Sequence, residues 1–126
     1  MIIDDPATKA EIEALFAAYE HALMTNDLDA LHNFFWPSAQ VLRFGDTGTS
    51  FGIDELAAFR RNRKGGSPQR VLQNTRIVTF GPDHAVATTE FVREGEPRLG
   101  RQTQIWVRFP DLGWRIASAH VSLVAA

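Results

Sequence analysis

A single tyrosine among nine phenylalanines is the first residue of this sequence whose type suggests chemistry. Tyr19 falls in the apolar series Ile12, Leu15, Phe16, Tyr19, Leu23, and a hydroxyl buried on such a stripe needs a partner. It is either an interior tyrosine bonded to a backbone carbonyl or a phenol that exchanges a proton with a bound molecule. Arg43 stands apart in the same way, as the only arginine of the first 59 residues. It sits in Val41-Leu42-Arg43-Phe44, and a guanidinium turned into a core would need an anion beside it. Val41 and Leu42 leave the inward phase of that strand undecided, so an orientation to solvent stays equally open. The run Arg60-Arg61-Asn62-Arg63-Lys64 has the composition of a phosphate clamp, but it also suits the end of a helix, where exposed carbonyls favour cations. The second reading is preferred, because no aromatics interleave the run. Arg60 lies one turn after Leu56, on the apolar side of that helix.

Other chemistries drop out on residue types. The chain has no cysteine, which removes disulfides, thiol nucleophiles and thiolate metal sites. Its four histidines, His21, His32, His84 and His120, show neither HxH nor HExxH spacing, so no metal or other cofactor is expected. Gly48-Thr49-Ser50-Phe51-Gly52 matches the G-x-S-x-G nucleophile elbow. That elbow requires a central parallel sheet with an acid and a histidine on later loops, and the sequence beyond Gly52 has no such pattern. A net charge of −2 gives no general attraction to nucleic acid, although ten of the 15 acids lie before residue 60 and most of the 13 bases after it. The opening Met1-Ile2-Ile3-Asp4-Asp5-Pro6 lacks a signal peptide's regions and no apolar run is long enough to span a bilayer, so a cytoplasmic protein without membrane partners is expected.

These residues need elements to position them. With 126 residues and 44% apolar content, a single domain over 1–126 with a sizeable core is expected. Asp5 and Pro6 announce a helix to about Met24; Asn26-Asp27 caps a shorter one with Leu28, Leu31, Phe34 and Phe35 inward, stopped by Pro37. Gln40 to Phe44 is expected as a strand and Gly45 to Gly52 as a loop. Ile53, Leu56, Ala57 and Phe59 outline a third helix ending near Gly65-Gly66.

From Arg70 the period becomes two, over 70–80, 83–94, 99–109 and 113–124, with turn residues between the segments. Helices followed by a run of strands predict an α+β fold: N-terminal helices on a strongly curved antiparallel sheet, with a pocket between them. Alternation puts His120 and Ser122 on one face with Trp114, Ile116 and Ser118, the pattern of a pocket wall. Arg101, Thr103 and Ile105 share one face of the preceding strand and Gln102, Gln104 and Trp106 the other, with the inner face undecided. Glu90, the acid of an otherwise apolar strand, is expected in a salt bridge across the sheet. An outer face carrying Trp106 or Trp114 would form a large apolar patch, so a homodimer through the sheet is expected.

The N-terminal helix pair, Gly52-Ile53-Asp54-Glu55-Leu56, Gly113-Trp114-Arg115-Ile116 and Ala119-His120-Val121-Ser122 resemble the NTF2-like superfamily, the cystatin-like α+β cone. Within it, Phe59-Arg60-Arg61-Asn62-Arg63, Thr79-Phe80-Gly81, Thr89-Glu90-Phe91 and Gly100-Arg101-Gln102-Thr103-Gln104 resemble the AtzH-like family. That resemblance implies a metal-independent amidohydrolase acting with loss of carbon dioxide on carboxylated ureas such as 1,3-dicarboxyurea, or on oxalurate-like compounds. It implies Tyr19 and Arg43 as the catalytic pair, Arg43 holding a carboxylate or forming oxyanion and Tyr19 moving a proton. Arg70, Arg101 and His120, with Ser122 on the same pocket wall, are the expected substrate-binding residues for a second carboxylate. The alternative is a noncatalytic protein that binds a small carboxylate or accompanies an amidase, since the scaffold also binds without reacting.

Overall fold

Two aspartates start the first two helices. In a computed structural model, described for residues 1–125, Asp5 accepts a hydrogen bond from the Thr8 amide at 3.1 Å and opens α1 (Pro6–Met24). Asp27 accepts from the Ala30 amide at 3.2 Å and opens α2 (Leu28–Asn33). Then come β1 (Leu42–Phe44), β2 (Thr49–Phe51), α3 (Ile53–Asn62), β3 (Arg70–Phe80), β4 (His84–Arg93), β5 (Gly100–Phe109) and β6 (Gly113–Leu123). The expected loop before α3 therefore contains a strand. Gly45 donates to the Gly48 carbonyl at 2.7 Å, closing a tight turn that folds β2 back on β1. Gly52, at φ +84°, supplies the backbone reversal from β2 into α3, which ends three residues short of the glycine pair expected to stop it.

The sheet runs β2-β1-β6-β5-β4-β3. It is mixed, and the expectation of a wholly antiparallel sheet is corrected at one place: β1 pairs parallel to β6, with Arg43 opposite Ala119. The chain between them holds a hairpin strand, a helix and a three-strand meander, and this long crossover allows a parallel neighbour where a tight turn would not.

Strict alternation fails in β6. Ile105 pairs with Ser118 but Trp106 pairs with Ile116, so Ala117 is an extra residue and the phase slips by one. Ile116 faces the helices before the bulge; Ala119 and Val121 face them after it. His120 and Ser122 consequently lie on the outer face, not with Trp114 and Ile116, and His120 packs edge-on to Phe44 there. In β5, Gln102, Gln104 and Trp106 are the inner residues and Arg101, Thr103 and Ile105 the outer ones.

Ile12, Phe16 and Leu23 of α1 pack with Leu31, Phe35, Leu56, Trp106 and Ile116 in one apolar cluster between helices and sheet. Trp106 is fully buried there, and Trp114 donates its indole N–H to Glu11 of α1 at 2.8 Å. Both tryptophans thus turn to the helices, and neither forms the outer apolar patch expected to drive a dimer. Among the described residues no helix is long and apolar enough to cross a membrane.

Candidate functional site

The inner sheet face changes character across its width. One transverse row reads Gln104, Ala119, Arg43, Ser50, each residue the register partner of the next. Strands lie about 4.8 Å apart, so Arg43 and Gln104 flank the small Ala119 at roughly 10 Å from each other. Arg43 faces the interior and is 4% exposed. Its guanidinium lies 4.6 Å from the Phe59 ring centroid of α3. A Cβ on Gly45 would collide with that guanidinium, so glycine is what lets the turn pass over it.

From the helices, α1 supplies Tyr19 and the last turn of α3 supplies Arg60. Arg60 Nη2 donates to the Tyr19 hydroxyl at 3.0 Å, both groups being buried. The partner of the buried phenol is therefore a side chain and not a backbone carbonyl. Phe34 and Phe35 meet the Tyr19 ring edge-on, with centroids 5.6 and 6.1 Å away, and hold its plane.

Two of the surrounding arginines are neutralised. Arg70 grips Glu20 of α1 with two bonds, at 2.9 and 2.6 Å, and Arg93 bonds Asp46 of the β1–β2 turn at 2.6 Å. Arg43 and Arg60 form no ion pair among the described residues. Burial, and then the like charge of Arg60, push Arg43 down to about 10. Burial alone would push the Tyr19 phenol up, but the guanidinium groups of Arg60, Arg43 and Arg70 outweigh it and leave the phenol below its ordinary value.

The same region is short of acceptors. The Gln102 carbonyl oxygen accepts from Arg70 Nη2 at 3.0 Å, and the Gln104 carbonyl oxygen accepts from Trp106 Nε1 at 3.1 Å. Guanidinium and indole nitrogens only donate, so both amide NH2 groups are turned away from these contacts. Gln102 Nε2, Gln104 Nε2, Arg43 Nη1 and Arg60 Nε are all buried with no hydrogen-bond partner among the described residues. Four unanswered donors suit a ligand rich in anionic or carbonyl oxygens.

Of the residues expected from the sequence, Tyr19, Arg43 and Arg70 face this interior, with Arg70 already committed to Glu20. Arg101, His120 and Ser122 do not join them: Arg101 stands opposite Ser122 on the outer face and His120 is exposed beside them. Glu90 pairs in register with Arg101, yet its carboxylate accepts from Asn74 at 2.6 Å and from Gln73 instead of forming a salt bridge. Sequence reasoning missed Gln102 and Gln104 as site residues. Their signal was present, two amides sharing a strand face with Trp106, but the inner face could not be chosen. Arg60 was legible only as an arginine on the apolar side of its helix. Ser50 of the rejected elbow pattern lies within the β1–β2 hairpin, and no group of metal-ligating side chains occurs among the described residues.

The sequence profile of the AtzH-like family matches residues 1–126. A protein of unknown function from the DUF3225 family of Pectobacterium atrosepticum is 43% identical, with a TM-score of 0.94 over 98% of this chain and 95% of its own. A cystatin-like fold protein from Burkholderia xenovorans is 39% identical, with a TM-score of 0.94 over 100% of this chain and 98% of its own. An NTF2-like superfamily protein from Salmonella enterica serovar Typhimurium is 25% identical, with a TM-score of 0.76 over 95% and 93%. No curated protein matches the chain.

Proposed function

The chain belongs to the AtzH-like family, and from that premise and its donor-lined interior we propose that it is a metal-independent amidohydrolase acting on small carboxylated ureas such as 1,3-dicarboxyurea, or on oxalurate-like compounds. The observation that carries this reading is the pair of buried guanidiniums, Arg43 and Arg60, without carboxylate partners. Burying a charge unpaired costs of order several kcal/mol, a cost that an anionic ligand would offset.

In this reading Arg43 anchors one carboxylate. The free amides of Gln102 and Gln104 take the oxygens of the other, the part first assigned to Arg101, His120 and Ser122. Tyr19 then passes its proton to the nitrogen as the N–carboxyl bond of a carboxylated urea breaks: –NH–COO⁻ and one proton give –NH2 and carbon dioxide. An oxalurate-like compound would instead be cleaved by water at its N–acyl bond, –NH–CO–COO⁻ and water giving –NH2 and hydrogen oxalate. As the N–carboxyl bond lengthens, charge leaves the carboxyl oxygens for the nitrogen and is met there by the Tyr19 proton, while Arg43 holds the substrate in line. The same donors also suffice for a noncatalytic carboxylate-binding or amidase-accessory protein, which is the second reading. A homodimer through the outer sheet face is part of the proposal.

Two substitutions separate enzyme from binder. Tyr19→Phe removes one oxygen and should leave dicarboxylate binding nearly intact while lowering turnover about 10²-fold or more. Arg43→Lys keeps the charge but loses the planar fork, and should weaken both. Calorimetric binding, together with carbon dioxide release from freshly prepared 1,3-dicarboxyurea and oxalate release from oxalurate, reads both effects. Binding without conversion in the wild type, unchanged in Tyr19→Phe, establishes the binder. Loss of neither property in Arg43→Lys overturns both readings of this site.

A further inference from the structure

A guanidinium nitrogen donates and never accepts, so the contact from Arg60 Nη2 at 3.0 Å makes the Tyr19 oxygen the acceptor. That leaves the phenol's own proton to be placed. The Tyr19 ring is bordered by Phe34 and Phe35, which offer no acceptor, and the charged groups acting on it are Arg60 from α3, Arg43 from β1 and Arg70 from β3, all donors. Glu20, the nearby acid on α1, has its two oxygens taken by Arg70. Among the described residues the hydroxyl proton has no recipient. The Arg60 plane is in turn held by ring faces, with Phe59 and Phe35 centroids 5.6 and 5.9 Å from its central carbon.

We propose that Arg60 is the positioning residue of this site: it directs the Tyr19 hydroxyl proton onto the bound ligand and holds the phenolate that remains once the proton has moved. The proposal rests on the reading of Tyr19 as the proton-transferring group. Its electrostatics are self-consistent, because one negative oxygen between Arg60 and Arg43 relieves the repulsion of two like charges in a water-poor interior. Breaking the N–carboxyl bond then needs one proton from Tyr19, and the phenolate recovers it from solvent after the product leaves. The depressed phenol has the same cause.

The chain's single tyrosine makes the test direct, since near-ultraviolet tyrosinate absorbance followed against pH reports Tyr19 alone. In the ligand-free wild type the midpoint should fall below the ordinary 10.0. Arg60→Gln should move it up by about one pH unit or more. Arg60→Lys, which keeps the charge without the fork, should move it in the same direction by less, and it serves if the glutamine variant does not fold. A midpoint unmoved or lowered in the folded variants overturns the proposal, whatever their activity. With 1,3-dicarboxyurea, Arg60→Gln should lower kcat more than it raises KM and shift the alkaline limb of kcat upward with the phenol. A merely structural role would lower the folded fraction without moving that limb. If the midpoint shifts but no carboxylated urea is converted, the reaction assignment fails while the role of Arg60 in holding the phenolate stands.

Discussion

Arg43 shows what a single residue can and cannot reveal. An arginine between Leu42 and Phe44 is conspicuous as a type, but whether it is a solubilising charge or an anion site depends on which way its Cβ points. The structure turns it inward, beside Phe59 and under Gly45. Gly45 is thus a positioning residue by its lack of a side chain. Gly45→Ala should displace the guanidinium and weaken dicarboxylate binding about 10-fold or more, the usual weight of a charge-assisted hydrogen bond. Titration calorimetry checks the loss, and an unchanged far-ultraviolet circular dichroism spectrum shows that the fold survives. Tyr19 was the more legible of the pair, since a lone hydroxyl on a helical apolar stripe must be buried and must be bonded. Arg60 stood out only as an arginine on an apolar helix side, and nothing local paired it with Tyr19, 41 residues away.

At the scale of elements, two irregularities shape the site. The Ala117 bulge moves His120 and Ser122 outside and brings Ala119 between Gln104 and Arg43, and no residue-by-residue alternation predicts it. The β1–β2 turn is tied across the interior by Asp46 and Arg93. Burial would push the Asp46 carboxyl up, but the bond and charge of Arg93 prevail and leave it below 3.8. An acid depressed in the folded state contributes stability that is fully present above 3.8 and drains away as pH falls through the lower folded value. Asp46→Asn should therefore cost about 1–3 kcal/mol at neutral pH, with the gap to wild type closing below pH 3.8. Urea titrations at several pH values measure this, and amide exchange at residues 45–48 should quicken in the variant.

For the molecule as a whole, assembly turns on the outer sheet face. It carries exposed Phe44, Val92 and Ile105 among Thr103, Arg101 and His120, in place of the tryptophans that the sequence suggested. A homodimer through this face predicts about twice 14.1 kDa by light scattering at micromolar concentration, and Ile105→Lys should return the mass to that of one chain. A wild-type monomer would exclude it.

Local grammar determined much of this protein: Asp-Pro and Asn-Asp capping signals set the helix starts, the change of period at Arg70 marked the sheet, and scarcity singled out Tyr19 and Arg43. Those are properties of neighbours within a few residues. Tertiary structure decided the rest, because the parallel pairing of β1 with β6, the bulge phase of β6 and the meeting of Arg60 with Tyr19 depend on segments far apart in the chain. A one-residue slip reverses every side chain beyond it, and the free energy that selects the phase comes from packing against helices the strand's own sequence does not contain.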